Sequence, residues 1–158
     1  APGTSGHWIE KMNDLSGHDN STCARVWQVL RMAHDRVERR LATEFAEIDL
    51  TITDFDVLLY LHSHSSDVVR ICSIQESVAL SQPALSRLIA RLVDSGLVLR
   101  SGSEADGQAI QVILSDAGRA FTSHAIDVHN AIIHDVLTTR FTPQEQEVLL
   151  QGLSRITR

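Results

Sequence analysis

The sequence is nearly without lysine. Lys11 is the only one, so arginine carries almost all the positive charge, and 14 basic residues face 20 acidic ones for a net charge of −6. That balance excludes a nonspecific nucleic-acid coat, which needs a dense cationic surface. Sequence-specific DNA binding stays open, provided the basic groups gather on one face. Cysteine is equally scarce. Cys23 and Cys72 form neither a disulfide framework nor a metal-ligand spacing. Aromatics are only 4% of residues, and Tyr60 is the single tyrosine. No apolar run approaches the roughly 20 residues of a membrane span, and no charged-then-apolar leader opens the chain. A cytoplasmic location without a membrane partner is therefore expected. No Gly-rich phosphate loop, Ser/His/Asp arrangement or metal-hydrolase motif is present, so an enzyme is not expected. At 158 residues and 43% hydrophobic content, the chain suits one domain with a sizeable core.

What the sequence does contain is concentrated in residues 80–100, LSQPALSRLIARLVDSGLVLR. Ser81 is an N-cap, with Gln82 and Pro83 in the first turn, where a missing N–H leaves nothing unsatisfied. Leu85, Leu88, Ile89, Leu92 and Val93 recur at helical spacing and form one buried stripe. Gln82, Ser86, Arg87 and Arg91 occupy the other face with groups able to bond base edges or phosphates. Gly96 ends the helix.

Flanking segments complete a unit. Upstream, Ser73-Ile-Gln-Glu76 reads as a capping box opening a short helix, with Ile74 and Val78 inward. The turn Ala79-Leu80 joins it to Ser81. Two short helices around a tight turn make a helix-turn-helix. Downstream, Leu97–Ser101 and Ala109–Leu114 read as strands around Asp106-Gly107, a hairpin turn signal. Ser115-Asp-Ala-Gly118 opens another helix. Helix, turn, helix and hairpin in this order is a winged helix. A plain α+β packing motif is the bland alternative.

Around this lobe the sequence is helical, giving a mostly α (α+β) fold. Trp8, Ile9, Met12 and Leu15 share one face of a first helix. A long helix follows from about Thr22 to Ala46, with Val26, Leu30, Ala33, Val37, Leu41 and Phe45 as a near-heptad stripe. Thr53 is expected to cap the next helix, His62–Asp67 to be a loop, and Val68–Cys72 a short strand. A second long helix runs from Asp116 to Thr138 through Phe121, Ala125, Val128, Ile132 and Val136. Thr142-Pro-Gln-Glu145 caps a last helix whose inner face is Leu149, Leu153 and Ile156. The expected organisation is a single domain over 1–158. Dimerisation helices occupy 22–48 and 116–158, and a winged helix DNA-binding lobe occupies 53–115. The long, narrow-striped terminal helices need a partner, so a homodimer is expected.

The order and several short motifs resemble the MarR family of transcriptional regulators. The matching residues are Leu50-Thr51, Ser86-Arg87-Leu88, Arg91-Leu92, Gly96-Leu97-Val98 leading to Arg100, Asp106, and Leu114-Ser115 with Gly118. The resemblance implies a homodimer with interlocked terminal helices on a palindromic operator in double-stranded DNA. Recognition helices enter major grooves and wings reach minor grooves, through Ser81, Gln82, Pro83, Ser86, Arg87, Arg91 and Gln108 here. It also implies a repressor released by a small, often aromatic and anionic effector. Trp8, Asp56 and Arg100 resemble the ligand site of the urate-responsive branch, although that branch's further recognition-helix Arg falls on Leu88. Each also has a plain structural role available. Trp8 would be a core aromatic, Asp56 a first-turn residue serving the helix dipole, and Arg100 a wing-base ion pair.

The chain departs from this pattern in its wing. Asp106-Gly-Gln108-Ala stands where Arg residues normally follow the Asp. Residues 68–118 hold four arginines (Arg70, Arg87, Arg91, Arg100) against Glu76, Asp94, Glu104, Asp106 and Asp116. Few phosphates can be neutralised by such a lobe. A dimeric sensor or interaction protein without DNA binding is therefore one alternative. Eight histidines raise a second, a zinc-responsive regulator, but His124, His129 and His134 are five apart and share no face. His62-Ser-His64 beside Asp67 is the remaining loop pair. No metal site is assigned and no cofactor is expected. Cys23, near a helix start, reads as an idle thiol.

Overall fold

A computed structural model describes residues 21–64, 68–78, 80–101 and 110–157. The expected helix around Trp8 lies outside them, as do Asp67, Ala79 and the hairpin tip with Glu104, Asp106 and Gln108. The described elements are α1 (Ser21–Ala46), α2 (Ile52–Ser63), β1 (Val69–Arg70), α3 (Ile71–Ser77), α4 (Gln82–Asp94), β2 (Val98–Ser101), β3 (Gln111–Leu114), α5 (Asp116–Thr138) and α6 (Pro143–Leu153). The chain divides into two compact units, residues 1–39 and 40–158. In the first unit, the described part of α1 exposes Val26, Trp27, Val29 and Met32. Its expected stripe is only half-buried at Leu30 and exposed at Ala33.

The second unit holds the core. Leu41 and Phe45 at the end of α1 are buried. The helix stops in a turn where Asp49 takes φ 54°, a left-handed conformation that a short polar side chain tolerates. Leu50 N then donates back to Phe45 O at 2.9 Å. Phe45 meets Phe55 of α2 with ring centroids 4.9 Å apart, and Phe55 stacks on the His129 imidazole of α5 at 5.2 Å. Val57, Leu58 and Leu61 complete the buried face of α2. Each fully buried side chain of this size stabilises the fold by about 1.5–3 kcal/mol.

The cap of α2 is one residue pair earlier than expected. Thr51, not Thr53, is the N-cap, in a capping box with Asp54. The Thr51 hydroxyl accepts from Asp54 N at 3.1 Å, and the Asp54 carboxylate accepts from Thr51 N at 3.2 Å. α2 also runs on through His62 and Ser63, so His64 ends the helix rather than lying in a loop. The next correction is β1, which is only Val69–Arg70, with α3 starting at Ile71 rather than at a Ser73 cap. The reason lies far away in sequence. Ile71 N donates to Ile110 O at 3.2 Å, so the sheet, not a side chain, satisfies the first turn of α3. Ile74 is buried as expected, while Val78 is only half-buried.

The three strands form an antiparallel sheet in the order β1-β3-β2, with Val69 opposite Val112, and Val98 opposite Leu114. These four face the core. The strands are shorter than expected at both ends of the hairpin. α5 begins and ends as the sequence indicates, capped by Ser115, whose hydroxyl accepts from Gly118 N at 2.9 Å.

α6 has its expected capping box of Thr142 and Glu145. Hydrogen bonds from the Thr142 backbone N–H and then its hydroxyl hold the Glu145 carboxyl below its ordinary range. That support is present above the ordinary carboxylate pKa and is lost as pH falls through the lowered one. The expected inner face of α6 is not inward in the single chain. Leu149, Leu153 and Ile156 are all exposed, and no residue of α6 is buried.

Candidate nucleic-acid interface

α4 is fixed at both ends. Ser81 accepts from Ala84 N at 3.4 Å, with Pro83 in the first turn. At the other end Gly96, at φ +74°, donates to Val93 O at 2.9 Å while Leu97 N reaches Leu92 O at 3.0 Å. This pair of bonds is a Schellman motif, and it needs the left-handed residue that glycine supplies. Leu85, Leu88, Ile89 and Leu92 are buried, while Val93 is half-buried. The buried stripe leaves Ser81, Gln82, Pro83, Ser86 and Arg87 exposed along one edge. Gln82 with Ser86, and Pro83 with Arg87, stand one turn apart on neighbouring rows. Arg87 has no carboxylate partner among the described residues. α3 precedes this helix, and Leu80 N donates to Val78 O at 2.7 Å in the turn between them.

Arg91 is placed differently from Arg87. Its Nη2 pairs with Oδ1 of Asp54, a residue of α2 that is only 3% exposed. The expected backbone-contacting arginine is therefore already engaged inside the lobe. Sequence reasoning missed Asp54, although two signals were available. Thr51-x-x-Asp54 has capping-box spacing, and Asp54 precedes Val57, Leu58 and Leu61 by three, four and seven residues, on the buried face.

The remaining site residues are more scattered. Arg100 lies opposite Val112 in the sheet register, on the row that faces the core, yet at the edge strand it is exposed. No ion pair holds it among the described residues, so the wing-base salt bridge is not formed there. Asp56 is exposed on the second turn of α2, and the first-turn acid is Asp54 instead. Trp8 and Gln108 lie outside the described residues.

Histidine geometry can also be read. His64 Nδ1 lies 2.9 Å from Tyr60 O and its ring stacks on Tyr60, so it is a local helix-end residue. Among the described residues, one group brings His, Asp or Glu ligand atoms together. His34, Asp35 and Glu38 on α1 have them within 4.8 Å of one another. His34 is 3.6 Å from Asp35 and 3.7 Å from Glu38, distances that solvated neighbours on one helix reach without an ion.

Helix, turn, recognition-type helix and antiparallel strand pair, in this order, make a winged helix-turn-helix fold. A family model described as the MarR family matches residues 50–110. An uncharacterized HTH-type transcriptional regulator of Bacillus cereus is 24% identical over 140 residues, covering 87% of this chain and 90% of that one. Among solved structures, a mutant MarR from E. coli complexed with operator DNA superposes with a TM-score of 0.71 at 20% identity, covering 90% of this chain and all of that one. MepR, a transcription regulator of a Staphylococcus aureus multidrug efflux pump, gives a TM-score of 0.69 at 17% identity, over 82% of this chain and 93% of that one. These proteins are regulators, not enzymes. No described helix is long and apolar enough to cross a membrane.

Proposed function

We propose that this chain is a MarR-type transcriptional regulator that binds double-stranded DNA as a homodimer, with α4 in the major groove. The observation that carries the reading is the division of α4. Its inner face is sealed into the core, and its outer edge offers Gln82, Ser86 and Arg87 unencumbered. Such side chains discriminate base edges by paired hydrogen bonds. The charge available for phosphates is small, because Asp54 already neutralises Arg91. Binding is thus expected at low salt, with affinity falling only moderately as salt rises. Fluorescence anisotropy against duplex DNA flanking its own gene, at two salt concentrations, tests this. A folded protein that binds none of that DNA at low salt would overturn it and favour a sensor acting through protein contacts.

Residues 22–48 and 116–158 serve as the dimerisation region in this reading, and 53–115 as the DNA-binding lobe. Support comes from apolar side chains that the single chain leaves in water. Trp27 is 61% exposed, Val148 69% and Ile156 76%. Burying them against a second copy recovers about 25 cal/mol per Å². Light scattering on a dilute sample is expected to give twice the chain mass, and a stable folded monomer would contradict the assignment.

The finer reading is a repressor released by a small aromatic anion. Arg100 is exposed at the edge of the sheet, and its planar fork suits a carboxylate or enolate. The family resemblance names Arg100, with Asp56 and Trp8, as residues that would contact such an effector, an aromatic acid or a purine such as urate. Calorimetry with such compounds should show binding that Arg100→Ala abolishes. Stoichiometric zinc binding alone would instead support the metal-responsive alternative, with His34, Asp35 and Glu38 the first residues to replace.

A further inference from the structure

Among the described residues there are two capping boxes, and they differ in burial and in partners. At α6, Glu145 is exposed and serves only its own helix start. At α2, Asp54 is buried and its two oxygens are divided between two helices. Oδ2 accepts from the Thr51 N–H at 3.2 Å and from its hydroxyl at 2.7 Å. Oδ1 accepts from Arg91 of α4, 37 residues away in sequence. An ordinary cap has no need of burial or of a distant arginine. A buried charge pair is also weak evidence for stability, because desolvation offsets the attraction. Its firmest contribution is to geometry, since Arg holds a carboxylate in few orientations.

We propose that Asp54 is the positioning residue of the recognition helix, locking the last turn of α4 to the start of α2 through Arg91. This rests on the DNA-binding reading above. The placement is favourable at both ends, with a carboxylate at the N-terminus of α2 and a cation in the last turn of α4. The Schellman turn at Gly96 sits beside the clasp and fixes the same end of α4. The base-reading edge at Gln82, Ser86 and Arg87 is thereby aimed by its far end. Arg91 acts as a strut, and its charge is already balanced by Asp54, so it contributes little to counterion release. Asp54 also follows closely on the turn that ends α1 at Asp49 and Leu50. A shift of that turn would reach α4 through the clasp.

A double-mutant cycle tests this with Asp54→Asn, Arg91→Gln and the combined variant. Each is measured for affinity to the duplex used above, for the salt dependence of that affinity, and for hydrogen exchange of residues 88–97 without DNA. Asp54→Asn keeps an acceptor for the Thr51 cap. Arg91→Gln leaves the whole capping box intact, so it carries the test if the first variant fails to fold. All three variants are expected to lose affinity by the same factor, on the order of tenfold. Their salt dependence should stay at the parent's slope while exchange in the last turn of α4 quickens. Additive losses would overturn the proposal. So would an Arg91→Gln variant that flattens the salt slope by about one phosphate while Asp54→Asn changes nothing, the signature of a backbone contact. Unchanged exchange in both single variants would also overturn it. If the parent itself binds no DNA, the DNA-binding reading fails, and exchange still decides the clasp.

Discussion

Replacing Arg87 with alanine is expected to weaken binding to the best DNA sequence by about 1–3 kcal/mol, roughly 5- to 150-fold, and to relax selectivity at one base position. Arg87 is the exposed arginine of α4 that no carboxylate engages among the described residues. It lies one turn beyond Pro83 on the edge opposite Leu85 and Ile89. Truncation leaves the core untouched, so the melting temperature should stay within about a degree or two of the parent. Competition anisotropy against a set of single-base variants reads the effect. Equal affinity of parent and variant for every sequence would show that α4 does not read bases through this side chain.

The largest effect on folding is expected from Gly118→Ala. A methyl group there would fall 1.9 Å from Leu97 O and 2.9 Å from Leu97 C, both backbone atoms, and 3.3 Å from Leu114 Cδ2. Leu97 cannot easily retreat. Its carbonyl accepts from Ser115 N at 3.0 Å and from the Ser115 hydroxyl at 3.2 Å, the residue that caps α5. Overpacking of this kind costs about 3 kcal/mol, well beyond the ~1 kcal/mol that alanine gains over glycine in a helix. Calorimetry at fixed protein concentration should show a melting temperature lower by about 6–12 °C. Gly152→Ala is the control, since nothing lies within 4 Å of its added Cβ. It should melt at or slightly above the parent. A Gly118→Ala protein as stable as the parent would mean that α5 and Leu97 do not approach so closely.

The parts legible in the sequence are those set by short-range rules. α4 and its ends follow from Ser81, Pro83 and Gly96, and α5 and α6 from Ser115 and the Thr142–Glu145 box, all local signals. Boundaries set by partners distant in sequence were not legible. The start of α3 depends on a carbonyl of Ile110, and no propensity near Ser73 encodes that. Arg91 shows the same limit in the site. Its helical phase puts it on the polar face, where a phosphate contact is the natural reading. Its actual partner comes from another helix, and only the buried phase of Asp54 pointed to it. The spacing of Leu149 and Leu153 places both on α6, which ends before Ile156, and the burial expected of all three is not met among the described residues.

The close approach at Gly118 has a mechanical consequence. The Ser115 hydroxyl also donates to Gly96 O at 2.7 Å, so the end of α4, the root of the hairpin and the start of α5 meet at one joint. A joint this tight transmits rotation and absorbs little. α5 has 23 residues, giving an arm about 35 Å long at 1.5 Å per residue. Each degree of tilt at the joint corresponds to about 0.6 Å at its far end on that same rise. Such an arm would convert a large, low-force movement near Thr138 into a small, high-force one at the end of α4. In the proposed regulatory reading, control by an effector becomes a question of leverage on α5, with the hairpin root and the end of α4 as its short end.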